Sequence, residues 1–300
     1  SAGTRLRALI RAGDCLVTPG CYDALSARIA EHVGFEAIAI SGFGVEASFL
    51  GRPDIGLLTM SELVGVAQRI AAAVSVPITC DAEAGFGGIH NIGRLVRELE
   101  ACGIAGIQLE DQENPKRCPA LEGRRVVSLE EQLVRLNAAL AARRDPDFVI
   151  IARSDADVIS FDELVERCNR YLQAGADIVM PICFLVDGRP IGDIDADGQM
   201  EVLARLCAAI DGPVKGVLVP EGYTAKDMAE IGYRILGLTG GPIEAAANAL
   251  HACLSALRAT GSEAAYRKEH PPAFPAPRGI MNLLGLKRYL DLERWLGKGS

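Results

Sequence analysis

A chain of 300 residues, 49% hydrophobic and 23% charged, can bury a large core, and its length suits one large α/β barrel or two smaller domains. Lys and Arg number 31 against 39 Asp and Glu, a net charge of −8 with no basic run, which argues against a polyanion binder and so against nucleic acid as a partner. The nine cysteines are scattered with no C-x-x-C pair and read as small buried hydrophobes in a reducing cytosol. No apolar run reaches the roughly 18 residues of a membrane span. SAGTRLRALIRAG lacks the apolar stretch of a signal peptide, so the expectation is a soluble, cytoplasmic protein with no membrane partner.

Short apolar, β-branched runs recur along the chain: 15–19 (CLVTP), 37–41 (AIAIS), 76–81 (VPITCD), 106–110 (GIQLE), 148–153 (FVIIAR), 177–182 (DIVMPI), 213–218 (PVKGVL) and 233–238 (YRILGL). Between them apolar residues fall at helical spacing, as in Leu95, Leu99 and Cys102, in Leu133, Leu136 and Leu140, and in Leu164, Cys168 and Leu172. Gly34, Gly103, Gly175 and Gly232 each sit just before a strand, where a helix C-cap needs a left-handed backbone, while Pro77, Pro146 and Pro213 stop the helix at the intervening joints. The strands are continuously apolar, as in a parallel sheet covered by helices. Eight such units predict a (β/α)8 TIM-type barrel over residues 1–262, and no GxGxxG follows an early strand to suggest a dinucleotide fold. Beyond residue 262 a proline-rich stretch (EHPPAFPAPRG) and an amphipathic segment (NLLGLKRYLDLERWLG) predict a C-terminal helical arm, 263–300, covering the barrel or a neighbouring subunit.

In such a barrel the chemistry lies at the C-terminal ends of the strands, and the sequence concentrates polar residues there. The second strand ends in Ser41-Gly42-Phe43-Gly44, followed by Arg52-Pro53-Asp54; the third ends in Asp81-Ala82-Glu83; the fourth in Glu110-Asp111-Gln112, leading to Pro115-Lys116-Arg117-Cys118; the fifth in Arg153-Ser154-Asp155. Asp81 and Glu83, two apart, would project to one side in extended chain, facing Glu110 on the adjacent strand. Carboxylates this close repel unless a cation or protons neutralise them, and a hard divalent ion such as Mg²⁺, with Mn²⁺ as a substitute, suits oxygen ligands better than zinc. None of the four histidines lies beside them in a ligand spacing. The alternative for any one of these acids is a helix cap or an ion pair with Arg153. Likewise Gly42 and Gly44 serve either as turn residues or, through their N–H groups, as a carboxylate cradle.

SGFGV, GRPDIG, DAEAGFGG, LEDQENPKRC and IIARSDA, in this order and at these strand ends, resemble the isocitrate lyase and phosphoenolpyruvate mutase superfamily over about the first 180 residues, and more weakly beyond. The resemblance implies a Mg²⁺-dependent barrel that chelates the oxyanion or enolate of a 2-oxo acid, in a homotetramer (a dimer of dimers) whose eighth helix is exchanged between neighbours. It implies that Asp81 binds the metal most directly, with Asp54, Glu83 and Glu110 ordering its waters. Ser41, Gly42 and Phe43 would hold the substrate carboxylate, with Arg153 neutralising substrate charge and Arg278 as a further carboxylate ligand. Lys116 to Cys118 would lie on a gating loop, with Cys118 the acid that protonates the departing carbanion in the carbon–carbon lyase branch. A thiol suits that role because it is protonated at neutral pH, and Lys116 and Arg117 beside it would ease its ionisation. A surface cysteine without a role is the competing reading.

The chain also departs from the family pattern. Where lyases of methylisocitrate and dimethylmalate continue as cysteine, glycine, histidine, Cys118 is followed by Pro119 and Ala120. Ile182 stands where the lyases carry glutamate and the phosphonate mutases histidine, and Val217 replaces a family asparagine, which implies a more apolar far end to the substrate pocket. The resulting expectation is a lyase acting on a substituted 2-hydroxy dicarboxylate or tricarboxylate to give a 2-oxo acid. Oxaloacetate decarboxylation or hydrolysis, phosphonate rearrangement, and a catalytically silent barrel that binds a small acid are the alternatives.

Overall fold

The computed structural model describes residues 1–13, 15–274 and 277–297. Eight strands, β1 (Leu16–Cys21), β2 (Ile38–Ile40), β3 (Ile78–Asp81), β4 (Gly106–Glu110), β5 (Val149–Ser154), β6 (Ile178–Pro181), β7 (Val214–Gly216) and β8 (Tyr233–Leu238), close into a barrel. Each pairs in parallel with its neighbours in sequence, and β8 returns to β1 through Leu16↔Ile235 to Pro19↔Leu238. The eight apolar runs of the sequence are these eight strands. Gly34, Gly103, Gly175 and Gly232 all take positive φ, as a left-handed C-cap before a strand requires. A two-stranded hairpin, Leu185–Val186 with Arg189–Pro190, was not expected. Its strands are too short to show alternation, although the Asp187-Gly188 turn, with φ positive at both residues, is a recognisable hairpin signal.

Two apolar layers sandwich the strands. Outside the barrel, Ile40, Cys80, Leu109 and Ile150 meet helix residues such as Leu63, Leu95, Leu136 and Leu164. Inside it, Leu16, Val149, Ile151, Ile178 and Ile235 pack with Leu6 of the helix Ala2–Arg11. Several of these residues open their strands, so this helix closes the end of the barrel opposite the strand C-termini. Its seating is tight: a Cβ on Gly3 would collide with the Asp147 carbonyl oxygen, and Arg7 Nε donates to that same carbonyl at 2.9 Å.

The chain beyond β8 packs differently. The helix Gly241–Thr260 contains no buried residue and exposes Leu250, Leu254 and Leu257. Helices Ala264–Glu269, Ile280–Leu283 and Leu286–Gly297 follow. Leu283 tucks against the helix Ala24–Val33, where Arg28 Nη2 donates to its carbonyl at 2.7 Å, while Trp295 stays exposed. Of the expected arm, Pro275, Ala276 and residues 298–300 lie outside the described residues. Among the described residues no helix is long and apolar enough to cross a membrane, and all nine cysteines are free thiols, each buried or half-buried.

Leu6 is fully buried at the closed end, far along the barrel from the strand C-termini. Leu6→Ala is therefore expected to lower unfolding free energy by about 2–5 kcal/mol in urea denaturation. A loss well under about 1 kcal/mol would show that the helix does not plug the barrel.

Candidate active site

Three adjacent strands deliver the charged groups. Asp81 ends β3 and Glu110 ends β4; Arg153 on β5 pairs with Glu110 in the strand register. Glu83 departs from the expected extended geometry. The strand stops at Asp81, and Glu83 turns back with φ 52°, in the left-handed region that only glycine adopts freely. The turn is pinned on both sides: the Glu83 N–H donates to Asp81 Oδ1 at 3.0 Å, and the Glu110 N–H donates to the Glu83 carbonyl at 3.1 Å. The carboxyl groups still converge. A Cβ on Gly42 would collide with Glu83 Oε1 and lie 3.1 Å from Asp81 Oδ2, so a side chain at 42 would intrude on both. Beside it Ser41 Oγ accepts from the Gly44 N–H at 3.1 Å, capping the short helix Gly42–Val45, and Phe43 follows within that helix.

Asp54 joins from the loop after β2, and sequence reasoning missed what holds it there. Glu46, fully buried, accepts from the N–H groups of Ile55 (3.2 Å), Leu57 (2.9 Å) and Leu58 (3.2 Å). Its carboxylate oxygen lies within 4.8 Å of oxygens of Asp54 and Glu83, which makes a possible metal-holding trio. Since both oxygens of Glu46 are already taken by backbone donors, we read it as the anchor of the Asp54 loop. The available signal was an acid inside the otherwise apolar run GFGVEASFL.

The loop after β4 folds over this cluster. Lys116 Nζ bridges Asp54 and Glu83, lying 2.5 Å from the latter, with all three side chains buried. The Cys118 N–H donates to the Asp54 carbonyl at 3.0 Å. Gln112 clamps the loop in both directions, donating to the Arg117 carbonyl and accepting from the Arg117 N–H, each at 2.9 Å. On the outer side of the closed loop lies a cavity of about 560 Å³, lined by Leu121, Arg124, Phe184 and Ile191. The converging carboxylates do not line it.

Arg153 is held rigidly. Asp155 takes its Nε at 2.8 Å and its Nη2 at 3.0 Å, leaving Nη1 directed at Glu110 (3.0 Å) and at Asp81 (4.0 Å). Asp155 is in turn fixed by Arg124 Nη1 (3.0 Å) and by Asp111, which accepts its N–H at 2.8 Å. Asp111 also receives Ser154 Oγ and Tyr171 Oη, so a buried network braces the arginine from behind. The alternative of an ion pair with Arg153 thus holds for Asp155, and Glu110 pairs with Arg153 as well while facing the cluster.

Burial pushes the Glu110 carboxyl well above the usual carboxylate range; Arg153 opposes this and Asp155, Asp81 and Asp54 add to it. Beyond the ion pairs already described, neither oxygen of Glu110 nor of Glu83 accepts a hydrogen bond among the described residues. Buried, unsatisfied carboxylate oxygens are costly unless a proton or cation completes them, which is the condition a divalent-ion site requires. The Cys118 thiol is also pushed up, chiefly by burial, against a backbone hydrogen bond from Ala120 that pulls it down; Asp54 adds to the rise, and Lys116 and Arg153 oppose it less strongly. Of the expected eased ionisation, the pull of Lys116 is present but outweighed by burial, while Arg117 turns its guanidinium to the Glu122 carbonyl instead (2.9 Å). The structure brings Ser41, Gly42, Asp54, Asp81, Glu83, Glu110, Lys116, Cys118 and Arg153 to one end of the barrel. It does not bring Arg278, which lies exposed on the C-terminal arm with no ion pair among the described residues.

Comparison with known proteins agrees with this architecture. The family model of phosphoenolpyruvate phosphomutase matches residues 6–258. The 2,3-dimethylmalate lyase of Eubacterium barkeri is 38% identical over 240 residues, covering 78% of each chain. Among solved structures, phosphoenolpyruvate phosphomutase from Streptomyces platensis subsp. rosaceus superposes with TM-score 0.85 at 30% identity, covering 97% of this chain and 98% of that one. Phosphonopyruvate hydrolase in complex with oxalate and Mg²⁺ does so with TM-score 0.82 at 29% identity, covering 98% of both. A closed eight-stranded barrel with an acidic cluster at its strand ends and a sequence matched along most of its length make this chain an enzyme of the phosphoenolpyruvate mutase and isocitrate lyase superfamily.

Proposed function

We propose that this enzyme is a carbon–carbon lyase acting on a substituted 2-hydroxy dicarboxylate or tricarboxylate of malate or citrate type, releasing a 2-oxo acid and a second carboxylate. The observation that carries this reading is the position of Cys118, which is bonded through its N–H to the Asp54 loop and kept as a thiol by burial. In such a cleavage the 2-hydroxyl passes its proton to a carboxylate of the acidic cluster and becomes the carbonyl, while the electron pair of the broken C2–C3 bond remains on C3. Cys118 Sγ–H supplies the proton that C3 then needs.

Asp81, Glu83, Glu110 and Asp54 are the residues that would hold Mg²⁺, and the oxygens of Glu83 and Glu110, which accept no hydrogen bond beyond their ion pairs, suit a hard cation. When bound, the ion would supply positive charge beside the oxygen that becomes the carbonyl. Arg153 neutralises a carboxylate of the substrate, and Ser41, Gly42 and Phe43 receive the other end of it at the start of their short helix. Lys116 holds the loop shut on Asp54 and Glu83 and so excludes water from the carbanion.

The opposite wall favours an apolar substituent. Ile182 is buried and packs with Met180, Phe184 and Val217 in the inner apolar layer, with no side-chain donor or acceptor among these four for a polar group on C3. The bare face of helix Gly241–Thr260 supports a homotetramer with that helix exchanged, in which Arg278 would serve a neighbouring site. Light scattering is expected to give four chains per particle; a monodisperse monomer at micromolar concentration would end that part of the proposal.

Two measurements test the chemistry. Purified protein with Mg²⁺ should cleave 2,3-dimethylmalate or 2-methylisocitrate in preference to oxaloacetate or phosphonopyruvate, and Cys118→Ser should lower kcat by about 10²–10⁴-fold without changing metal affinity. Retained turnover in that variant removes the assigned acid. Asp81→Asn should weaken Mn²⁺ binding at least about tenfold by titration calorimetry, and an unchanged isotherm would place the ion elsewhere.

A further inference from the structure

One charged group lies inside the barrel and has no part in the reaction above. Lys215, on β7, is fully buried, and its Nζ donates to Gln108 Oε1 on β4 at 2.7 Å. Among the described residues no carboxylate lies within ion-pair distance of it. The barrel makes room for the side chain at Gly237 on β8, where a Cβ would lie 2.6 Å from Lys215 Cε and 3.2 Å from Nζ. Gln108 is the register partner of Asp81 and stands two residues before Glu110 on the same inward face. The ammonium therefore occupies the layer directly beneath the carboxylates, with only neutral polar contacts of its own.

Its charge is poorly supported there. Burial pushes the ammonium down to about 7; Asp81 on β3 attracts it and Arg153 on β5 repels it. Glu110, above Gln108, is the other titratable group on the facing strand. A divalent ion held by Asp81 would add two positive charges to the side from which Arg153 already repels.

We propose that Lys215 is a positioning residue whose ammonium competes with the divalent ion for the field of Asp81, so that filling the site releases the Lys215 proton to solvent. The inference rests on the divalent-ion reading of the site. In the exchange one N–H bond of the ammonium breaks with its electron pair left on Nζ, the proton passes to the buffer, and the neutral amine still donates to Gln108. Ion affinity must then rise with pH through neutrality, by up to about tenfold per pH unit for a single linked proton.

The test uses the full-length protein and Mn²⁺ alone, with free ion followed by electron paramagnetic resonance and proton release by calorimetry in buffers of differing ionisation enthalpy. Wild type should bind at least about tenfold more tightly near pH 8 than near pH 6. Lys215→Met should lose most of that dependence and release fewer protons per ion. The carboxylate ligands are common to both proteins, so the difference between them reports Lys215. Lys215→Gln serves the same purpose should the Met variant fail to fold. Equal slopes and equal proton release in wild type and variant, or a pH-independent wild-type affinity, overturn the inference while leaving the metal site standing. Failure of wild type to bind Mn²⁺ at any pH overturns both.

Discussion

Carboxylates crowded into a buried space must be neutralised, and the architecture of this end of the barrel follows from that requirement. Asp54, Asp81, Glu83 and Glu110 converge where three strands and one loop meet, and each has a cationic neighbour. Those neighbours are not free to wander. Arg153 is locked by Asp155 and the network behind it, and Lys116 is carried by a loop that Gln112 clamps. A single buried charge left without a partner costs several kcal/mol, so bracing the cations is as necessary as placing the acids. The oxygens of Glu83 and Glu110 that still lack hydrogen-bond donors are where that neutralisation is incomplete.

The same requirement divides the barrel into unlike halves. β3, β4 and β5 carry the acids and the arginine, while Met180 on β6 and Ile182 and Val217 just beyond β6 and β7 present hydrocarbon. On the proposed reading the polar half would receive a small carboxylate beside a cation, and the apolar half and the loop at Cys118 would distinguish one substrate from another; membership of the superfamily follows from the whole barrel, whereas the individual reaction would turn on a few side chains.

How much of this was legible in the sequence depended on whether a signal was local. The strands were, because continuous apolar runs bounded by glycine or proline mark buried parallel strands wherever they occur, and their C-terminal ends then locate Asp81, Glu110 and Arg153. Glu46 was not: its partners are three backbone N–H groups nine to twelve residues away, and only the folded loop joins them. Lys215 was hidden for another reason. A lysine in PVKGVL reads as a residue near a strand end, and only barrel closure, with Gly237 opposite, shows that it points inward. The extended geometry expected for Glu83 failed because the alternation of side chains applies only while the strand lasts, and β3 ends at Asp81.

A glutamate held at φ 52° stores backbone strain that a glycine would not. Relieving that strain by Glu83→Gly would also remove an ion-pair partner of the buried Lys116 ammonium and a carboxylate at the centre of the cluster. The position is a local compromise between backbone conformation and charge: the left-handed turn at Glu83 is held so that its carboxylate faces Gly42 and Lys116 among the other acids.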